Sequence, residues 1–251
     1  MALIDQLLAY YKLDESSGNA LDSTANAKTL TNTGTAGYSA GKINNAVDFG
    51  ASNTTKNLNR LETGALGLLM DSNFTVNFWL NLTTQVTTTG NQTVICWSDD
   101  TTANKKGYFE FQLYDNAGTP ATAINRVDSA GADQVTGNLT FTVGTWYMVT
   151  LTWDGSNMKS YRDGSGSAWL TVASTRTGTN TAAGHNTRVA IGELDVTTRA
   201  ISGLIDEMGW WNRVLSAAEI TELYNGGAGL QYPFGTSGPI IKLSTLLGVG
   251  K

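Results

Sequence analysis

The chain has very few of the residues that build metal clusters, disulfides or catalytic triads. Cys96 is the only cysteine and His185 the only histidine, so an intramolecular disulfide, a cysteine cluster and a histidine-rich metal site are excluded. No G-x-S-x-G sequence is present to position a nucleophilic serine. Apolar neighbours predict that Cys96 is a buried structural thiol, and a polar loop around His185 predicts a solvated side chain.

Charged residues and long apolar runs are also scarce. Charged residues make up 15% of the chain, and 16 Lys and Arg against 21 Asp and Glu give a net charge of −5. Nucleic-acid binding is disfavoured, because it requires clustered positive charge. No apolar run approaches the ~20 residues of a membrane-spanning helix. The first residues lack a basic start and a long apolar stretch, so no secretion signal is predicted.

The chain is rich in residues that favour strands and tight turns, including 28 glycines. The clearest alternation places Phe74, Val76 and Phe78 on one face of a strand and Asn77 and Trp79 on the other. Trp79 has two open interpretations. Its ring packs between two sheets, or it forms a platform for a ligand. Similar patterns predict strands at residues 7–13, 74–82, 94–97, 108–114, 146–154, 158–163 and 188–194.

Residues 201–227 carry the densest set of agreeing local signals. A buried strand is followed by Ser216 and Glu219, which have the S-x-x-E spacing of a helix capping box. Leu215 and Ile220 occupy the positions of a hydrophobic staple. The following Asn-Gly-Gly is typical of a helix end. One short helix near the carboxyl end is therefore predicted.

The same segment resembles the closing motif of laminin-G-like domains in the concanavalin A-like lectin/glucanase superfamily, in the variety common in bacterial and phage proteins. The matching residues are Ile205-Asp206-Glu207, Trp211-Asn212-Arg213, Leu215-Ser216 and Tyr224-Asn225-Gly226. Further similarity lies in the opening segment, in a Gly-Lys turn that leads to Asp-Phe-Gly at 41–50, and in the Trp-Asp-Gly that begins at Trp153. The resemblance covers roughly residues 7–232.

The resemblance and the strand pattern together predict one fold. It is an all-β, antiparallel β-sandwich of the concanavalin A-like jelly-roll type, with one short C-terminal helix. The predicted domain spans residues 1–235. Residues 236–251 follow as an apolar C-terminal tail that is a possible docking segment.

The resemblance also implies a structural calcium ion, because such domains often bind Ca²⁺ through aspartate carboxylates near the sheet rim. Asp22, in the opening loop, and Asp206, in the closing strand, are the candidate ligands. Calcium prefers six to eight oxygen ligands, which loops rich in Asp, Asn and Ser can supply. The alternative is a metal-free arrangement in which Asp206 accepts hydrogen bonds from the opening turn and fastens the two ends of the domain together.

Aromatic residues supply candidate sugar-binding platforms, because sugar rings present an apolar side to aromatic faces. Some of the tryptophans lie in alternating strand patterns that indicate core positions. The candidates whose position is less determined are Trp169, Trp97, Tyr108 and Trp211. Trp169 follows a Gly/Ser-rich turn, which favours an exposed ring.

A glucanase is the least favoured possibility. Glu193-Leu194-Asp195 resembles the first half of the catalytic strand of laminarinase-type glucanases, but the second glutamate is missing. A retaining glycosidase needs two carboxyl groups about 5–5.5 Å apart. The chain is therefore predicted not to be an enzyme.

The resulting prediction is a non-catalytic module for surface binding or decoration, set in a bacteriophage virion. Its predicted partners are other virion proteins or its own subunits, contacted through the C-terminal tail, together with cell-surface glycan. The alternative is a carbohydrate-binding lectin module of an extracellular bacterial protein, located outside the cell or on its surface.

Overall fold

A computed structural model describes residues 1–50, 55–62, 73–85, 91–99, 107–116, 119–128, 131–137, 140–174, 187–192 and 200–235. These residues form two antiparallel sheets that pack face to face, with one α-helix outside them. The predicted all-β sandwich with a single short C-terminal helix is confirmed. No described helix is long and apolar enough to cross a membrane. The predicted tail, residues 236–251, lies outside the described residues.

Sheet 1 has eight strands and sheet 2 has seven. The strands of sheet 1 are β1 (Leu7–Tyr11), β3 (Gly37–Ala40), β4 (Asn45–Asp48), β6 (Phe74–Leu82), β11 (Trp146–Trp153), β12 (Asn157–Arg162), β13 (Leu170–Ala173) and β15 (Gly203–Trp211). Their order is β13-β12-β11-β6-β15-β4-β3, and β1 also pairs with β15. The strands of sheet 2 are β2 (Thr31–Thr33), β5 (Asn57–Glu62), β7 (Gln92–Asp99), β8 (Gly107–Asn116), β9 (Thr119–Asp128), β10 (Gly131–Gly137) and β14 (Thr187–Ile191). Their order is β10-β9-β8-β7-β14-β5-β2.

The main hydrophobic core lies between the two sheets. Phe74 and Phe78 of β6 meet Phe109 and Phe111 of β8, with ring centroids 5.1 Å and 6.1 Å apart in edge-on arrangements. Strand β6 spans the residues that the alternation predicts, and its apolar face is the core face. Burial of this face supplies the main driving force that holds the two sheets together.

A second core covers the outer face of sheet 1. Helix α1 (Ala217–Tyr224), the N-terminal residues and residues 228–235 pack there over Trp79 and Trp211. Trp79 stacks on Tyr224 of the helix, with ring centroids 5.7 Å apart. The interpretation of Trp79 as packing between the two sheets is therefore wrong. Its ring lies on the opposite face of β6, between the strand and the helix.

An extra residue in β15 sets which of its side chains reach the main core. Asp206 pairs with Trp79 and Gly209 pairs with Asn77, so the two residues Glu207 and Met208 of β15 oppose the single residue Phe78 of β6. Glu207 adopts a φ of +48° at this bulge. The extra residue allows Ile205, Met208 and Trp210 all to enter the main core, which simple alternation would not permit.

The helix begins as its sequence predicts. The Ser216 hydroxyl accepts a hydrogen bond from the Glu219 backbone N–H, and the Glu219 carboxylate accepts one from the Ser216 backbone N–H. Asn225 ends the helix in the left-handed conformation. The sequence did not predict β9 and β10, nor the short strands β2, β3, β5 and β13, because these segments are mostly polar and lack a clear apolar alternation.

The Arg213–Glu219 ion pair anchors the helix to the N-terminal segment. Arg213 donates to both carboxylate oxygens of Glu219, at 2.7 Å and 3.0 Å, and to the backbone carbonyl oxygens of Ala2 and Asp5. Both side chains are buried. Although burial raises the pKa of Glu219, hydrogen bonds from Arg213 and Ser216 lower it to about 2.

We expect Arg213→Ala to lower the free energy of unfolding by about 3–5 kcal/mol, because it leaves a buried carboxylate without its partner. The matched variant Ser216→Ala removes the cap and one hydrogen bond to Glu219 but keeps the ion pair, and we expect it to cost about 1 kcal/mol. Urea unfolding at neutral pH measures both. The loss in free energy of unfolding caused by Arg213→Ala should become smaller as the pH falls from about 4.5 towards 2, because Glu219 becomes protonated in the folded protein there. If the two variants lose the same free energy of unfolding, the ion pair is not the stronger of the two interactions.

Candidate functional site

Asp206 fastens a distant turn to the bulge of β15. Its side chain is completely buried. One carboxylate oxygen accepts hydrogen bonds from the backbone N–H groups of Lys42 and Ile43, at 2.8 Å and 2.9 Å, and the other accepts from the Glu207 backbone N–H. Burial raises the pKa of Asp206 to about 8, even though the Ile43 and Lys42 N–H groups act in the opposite direction.

Glu207 fastens residues 228–235 to strand β1. One of its oxygens lies 2.5 Å from the Tyr10 hydroxyl, which also lies 3.0 Å from the carbonyl oxygen of Leu230. The other oxygen accepts a hydrogen bond from the amide of Gln231, which also donates to Asp14. The Tyr10 hydroxyl has a single proton for two acceptors, so both contacts are satisfied when Glu207 itself carries a proton. Burial raises the pKa of Glu207 to about 7, which agrees with this count.

Asp22 lies in a separate hydrogen-bond system. Its carboxylate accepts from the backbone N–H groups of Tyr10, Thr24 and Lys28, at 2.9–3.1 Å. Asp22 and Asp206 thus bind different segments of the backbone. No group of three or more His, Cys, Asp or Glu side chains that could hold a metal ion occurs among the described residues. The calcium site stays a prediction.

The predicted aromatic platforms lie in three different environments. Trp97 is 3% exposed in the main core, where its ring centroid lies 5.8 Å from that of Trp210. Trp211 is fully buried in the second core and donates from Nε1 to the Leu3 carbonyl oxygen at 2.6 Å. Trp169 is partly exposed and lies edge-on to Phe141.

The side chains of the remaining predicted residues lie outside the described part of the structure. Tyr108 belongs to β8, and its side chain lies outside the described part of the chain. His185 and the Glu193-Leu194-Asp195 segment also lie outside it. Ligand binding by Trp169, Trp97, Tyr108 and Trp211 stays a prediction.

The outer face of sheet 2 is unusually polar for a buried surface. We call it the polar face. Its outward-pointing residues are Asn57, Asn59, Thr93, Cys96, Glu110, Gln112, Tyr114, Ala121, Ala123, Arg188 and Ala190. Cys96 is buried, as its neighbours predict, but it lies on this face beside Ala190 and not in the main core.

Short side chains and polar groups alternate across the polar face. Cys96 pairs with Ala190 on one side and with Glu110 on the other, and Gln112 pairs with Ala123. Glu110 and Gln112 are 5% and 2% exposed. Burying polar groups costs free energy unless hydrogen bonds satisfy them, so this cluster calls for a physical reason.

Hydrogen bonds satisfy most of these groups. The Thr93 hydroxyl donates to Glu110 at 2.7 Å. On the other half of the face, Arg188 and Asn59 both donate to the side-chain oxygen of Asn57, at 3.3 Å and 2.7 Å. The buried atoms of this face without a hydrogen-bond partner include the Nε2 of Gln112.

The groups of the polar face are of the kind that bind hydroxyl groups, and Glu110 and Gln112 are almost completely buried in this structure. Carboxylate, amide, guanidinium and hydroxyl groups lie side by side, and the alanines and the cysteine between them take up little space. The sequence analysis missed this cluster. The signal that could have found it is the alternation of Glu110 and Gln112 with Phe109, Phe111 and Leu113, which places the polar residues opposite the core.

The fold and these sites define a laminin-G-like jelly roll. Residues 53–221 match the family model for laminin-G-like domains, described as the concanavalin A-like lectin/glucanases superfamily. The chain belongs to this family. Comparison with curated proteins finds no matching sequence.

Solved structures of carbohydrate- and receptor-binding domains share the fold. Domain 4 of AbnA, an extracellular arabinanase of Geobacillus stearothermophilus in complex with arabinotriose, has a TM-score of 0.60 and 18% identity, over 86% of this chain and 97% of that domain. The binding domain of botulinum neurotoxin DC has a TM-score of 0.64 and 12% identity, over 89% and 52%. The binding domain of Paraclostridial mosquitocidal protein 1 has a TM-score of 0.65 and 15% identity, over 89% and 52%. The chain thus spans about half of each toxin domain.

The buried pair Asp206 and Glu207 predicts an unusual dependence of stability on pH. Both pKa values are higher in the folded protein than the ordinary carboxyl value, so the folded chain binds more protons than the unfolded chain between about pH 4 and 8. Stability should therefore fall as the pH rises through this window. We expect the melting temperature to be higher near pH 5 than near pH 8.

Glu207→Gln should weaken this dependence, because its neutral amide replaces the protonated carboxyl. Glu222→Gln, on helix α1 and outside the network, is the matched control and should leave the dependence unchanged. Thermal unfolding of all three proteins over this pH range measures the effect. A melting temperature that rises with pH in the unmodified protein would contradict the assignment of a protonated Glu207.

Proposed function

We propose that this chain is a non-catalytic carbohydrate-binding module whose ligand lies on the polar face. The observation that carries the proposal is the buried cluster of polar side chains around Glu110 and Gln112, on the side of sheet 2 opposite the main core. A glycan offers hydroxyl groups that can donate to a carboxylate and accept from an amide. Glu110 and Gln112 are 5% and 2% exposed in the ligand-free structure, so their side chains must become accessible for a glycan to bind them. The likeness in fold to a domain solved with arabinotriose supports the same class of ligand.

Binding is favoured over hydrolysis by the number of carboxylates. A glycosidase of the usual kind needs a pair of them on either side of the scissile bond. Glu110 is the one carboxylate among the polar-face residues defined above. Glu193 is a further candidate carboxylate in the sequence, but the second glutamate that the glucanase pattern requires is missing.

A glycan array with the purified protein is the direct test, followed by titration of the best ligand. We expect Glu110→Gln to weaken binding by about tenfold or more, because a hydrogen bond to a charged group is worth about 1.5–3 kcal/mol. Lys159→Gln, on β12 of sheet 1, is the matched control and should bind normally. Equal affinity of the Glu110→Gln variant, with its melting temperature unchanged, would place the ligand elsewhere.

The same titration tests the predicted calcium ion. If Asp22 and Asp206 hold structural calcium, a chelator should lower the melting temperature and weaken glycan binding, and added calcium should restore both. Identical melting curves with calcium and with chelator would support the metal-free arrangement, in which Asp206 only accepts hydrogen bonds and fastens distant parts of the domain together.

A second candidate function is that of a decoration protein of a bacteriophage virion. Residues 228–235 pack on the outer face of sheet 1, where the Phe234 ring lies 5.3 Å from Tyr10 and 6.3 Å from Trp211. The polar face is on the other side of the sandwich. Attachment to other virion proteins through residues 236–251 is the proposed mode of docking. The alternative setting is an extracellular or cell-surface lectin module.

Deletion of residues 238–251 tests the docking role. We expect the shortened chain to lose co-sedimentation with its assembly partners, because the apolar residues of the tail are removed, and to keep glycan binding. Ile241→Asp should reproduce the loss and Lys242→Gln should not. Unchanged co-sedimentation of the shortened chain would overturn the docking role, and glycan binding would stand independently.

A further inference from the structure

We infer that the N-terminal segment of this domain is a docking surface whose occupant is the apolar stretch 240–249 of the same chain. The surface consists of the exposed side chains of Met1 and Ile4 and the partly exposed ring of Phe234, and we call it the N-terminal patch. The inference does not depend on glycan binding. It identifies where the apolar tail is held while no partner protein is bound.

Exposed apolar side chains cluster in this segment. Met1 is 92% exposed and Ile4 is 51% exposed, whereas Leu3 between them is buried in the second core. The other large apolar residues of the described part that are exposed are Leu21 and Val143, which lie in separate loops. Single exposed apolar residues are normal on a protein surface, whereas neighbouring ones are typical of interaction sites.

Hydrogen bonds hold the backbone of this segment in one conformation. Donors from residues 211–213 reach four of its carbonyl oxygens at distances of 2.6–2.9 Å, which are those of Ala2, Leu3, Asp5 and Gln6. The exposure of Met1 and Ile4 is therefore a property of a fixed turn and not of a loose segment. A fixed apolar surface loses little conformational entropy when another segment binds to it.

The tail begins beside this surface. The ring centroid of Phe234 lies 6.3 Å from that of Trp211, whose Nε1 is hydrogen-bonded to Leu3. Residues 235–239 are Gly-Thr-Ser-Gly-Pro, which extend over at most about 17 Å. The apolar residues that follow can therefore reach the N-terminal patch without a change in the domain. They are Ile240, Ile241, Leu243, Leu246, Leu247 and Val249.

The short connection favours the chain's own tail over the tail of a second copy. Two groups joined by a short flexible linker meet at an effective concentration in the millimolar range. A second copy of the chain in a dilute sample is present at a far lower concentration. The occupant of the patch is therefore supplied within the subunit.

Charge is complementary between the tail and the patch. The tail carries Lys242 and Lys251 and no acidic residue, whereas the chain as a whole has a net charge of −5. Asp5 of the N-terminal segment is exposed. A single exposed ion pair contributes little, so burial of apolar side chains supplies most of the stabilisation and charge only favours the encounter.

A partner protein that docks through the tail has to compete with the N-terminal patch for the same apolar residues. The patch thus shields these residues in the free subunit. Substitutions in the patch should expose the tail, whereas substitutions on other surfaces should not.

Trypsin cleavage after Lys242 measures how often the tail leaves the patch. We expect Ile4→Asp to raise the rate of this cleavage by about tenfold, because burial of half an aliphatic side chain changes the docking equilibrium by about that factor. The matched control is Val143→Asp, which should leave the rate unchanged. Val143 adjoins the Leu82 end of β6, whereas the N-terminal patch adjoins its Thr75 end. Equal rates for the two folded variants would overturn the inference.

A spin label on the tail tests the same contact with the patch intact, so this test does not depend on the folding of the Ile4→Asp variant. Leu247→Cys supplies one accessible thiol, because Cys96 is buried. With the label and the isotope in the same dilute subunit, we expect the backbone amide signals of residues 2–6 to broaden.

A second sample, in which spin-labelled subunits are mixed with isotope-labelled ones, distinguishes the two sources of the tail. Broadening only in the mixed sample would assign the tail to a second copy and overturn the inference. Absence of broadening in both samples would overturn it as well. Neither result bears on the proposed glycan binding, which has its own test.

Discussion

One extra residue in strand β15 determines how the two layers of this protein are joined. Without the bulge between Asp206 and Gly209, alternation would point Met208 away from the core that Ile205 enters. The bulge requires Glu207 to adopt a positive φ, and the hydrogen bonds of Asp206 and Glu207 stabilise this conformation. Asp206 binds a turn that is distant in sequence, and Glu207 binds Tyr10 together with residues 228–235. The ends of the domain thus meet at a single strand.

This arrangement assigns different roles to the two outer faces. Helix α1, the N-terminal segment and residues 228–235 cover the outer face of sheet 1. The tryptophans Trp79 and Trp211 of this face are buried by that packing. A ligand has no access to such a surface without removing the helix. On sheet 2 the outward residues are polar or small, and no described helix lies over them. The placement of one helix therefore makes the outer face of sheet 1 a second core, whereas Glu110 and Gln112 on sheet 2 are buried without a described helix over them.

Much of the fold was predictable because its signals are local. Strand β6 follows from strict alternation, and the start of the helix follows from Ser216 and Glu219, since a capping box acts within four residues. Strands β9 and β10 were missed because their pairing comes from neighbouring strands and not from an apolar pattern of their own. The location of Trp79 was misjudged for a related reason, since alternation separates the two faces of a strand but does not say which layer covers each.

The candidate site was the least predictable part, and the reason is physical. A glutamate or glutamine that alternates with phenylalanine in a sequence is normally assigned to solvent, because burial of such groups is costly. In β8 the same alternation leads to a buried carboxylate and an amide nitrogen without a partner, and only the neighbouring strands bring Thr93 and Ala123 beside them. A buried donor without an acceptor is rare in native proteins, so the local alternation of β8 gives no reason to expect one at Gln112. The surroundings of Glu110 and Gln112 follow from the pairing of β7, β8 and β9, which is a long-range property that no single segment of the sequence carries.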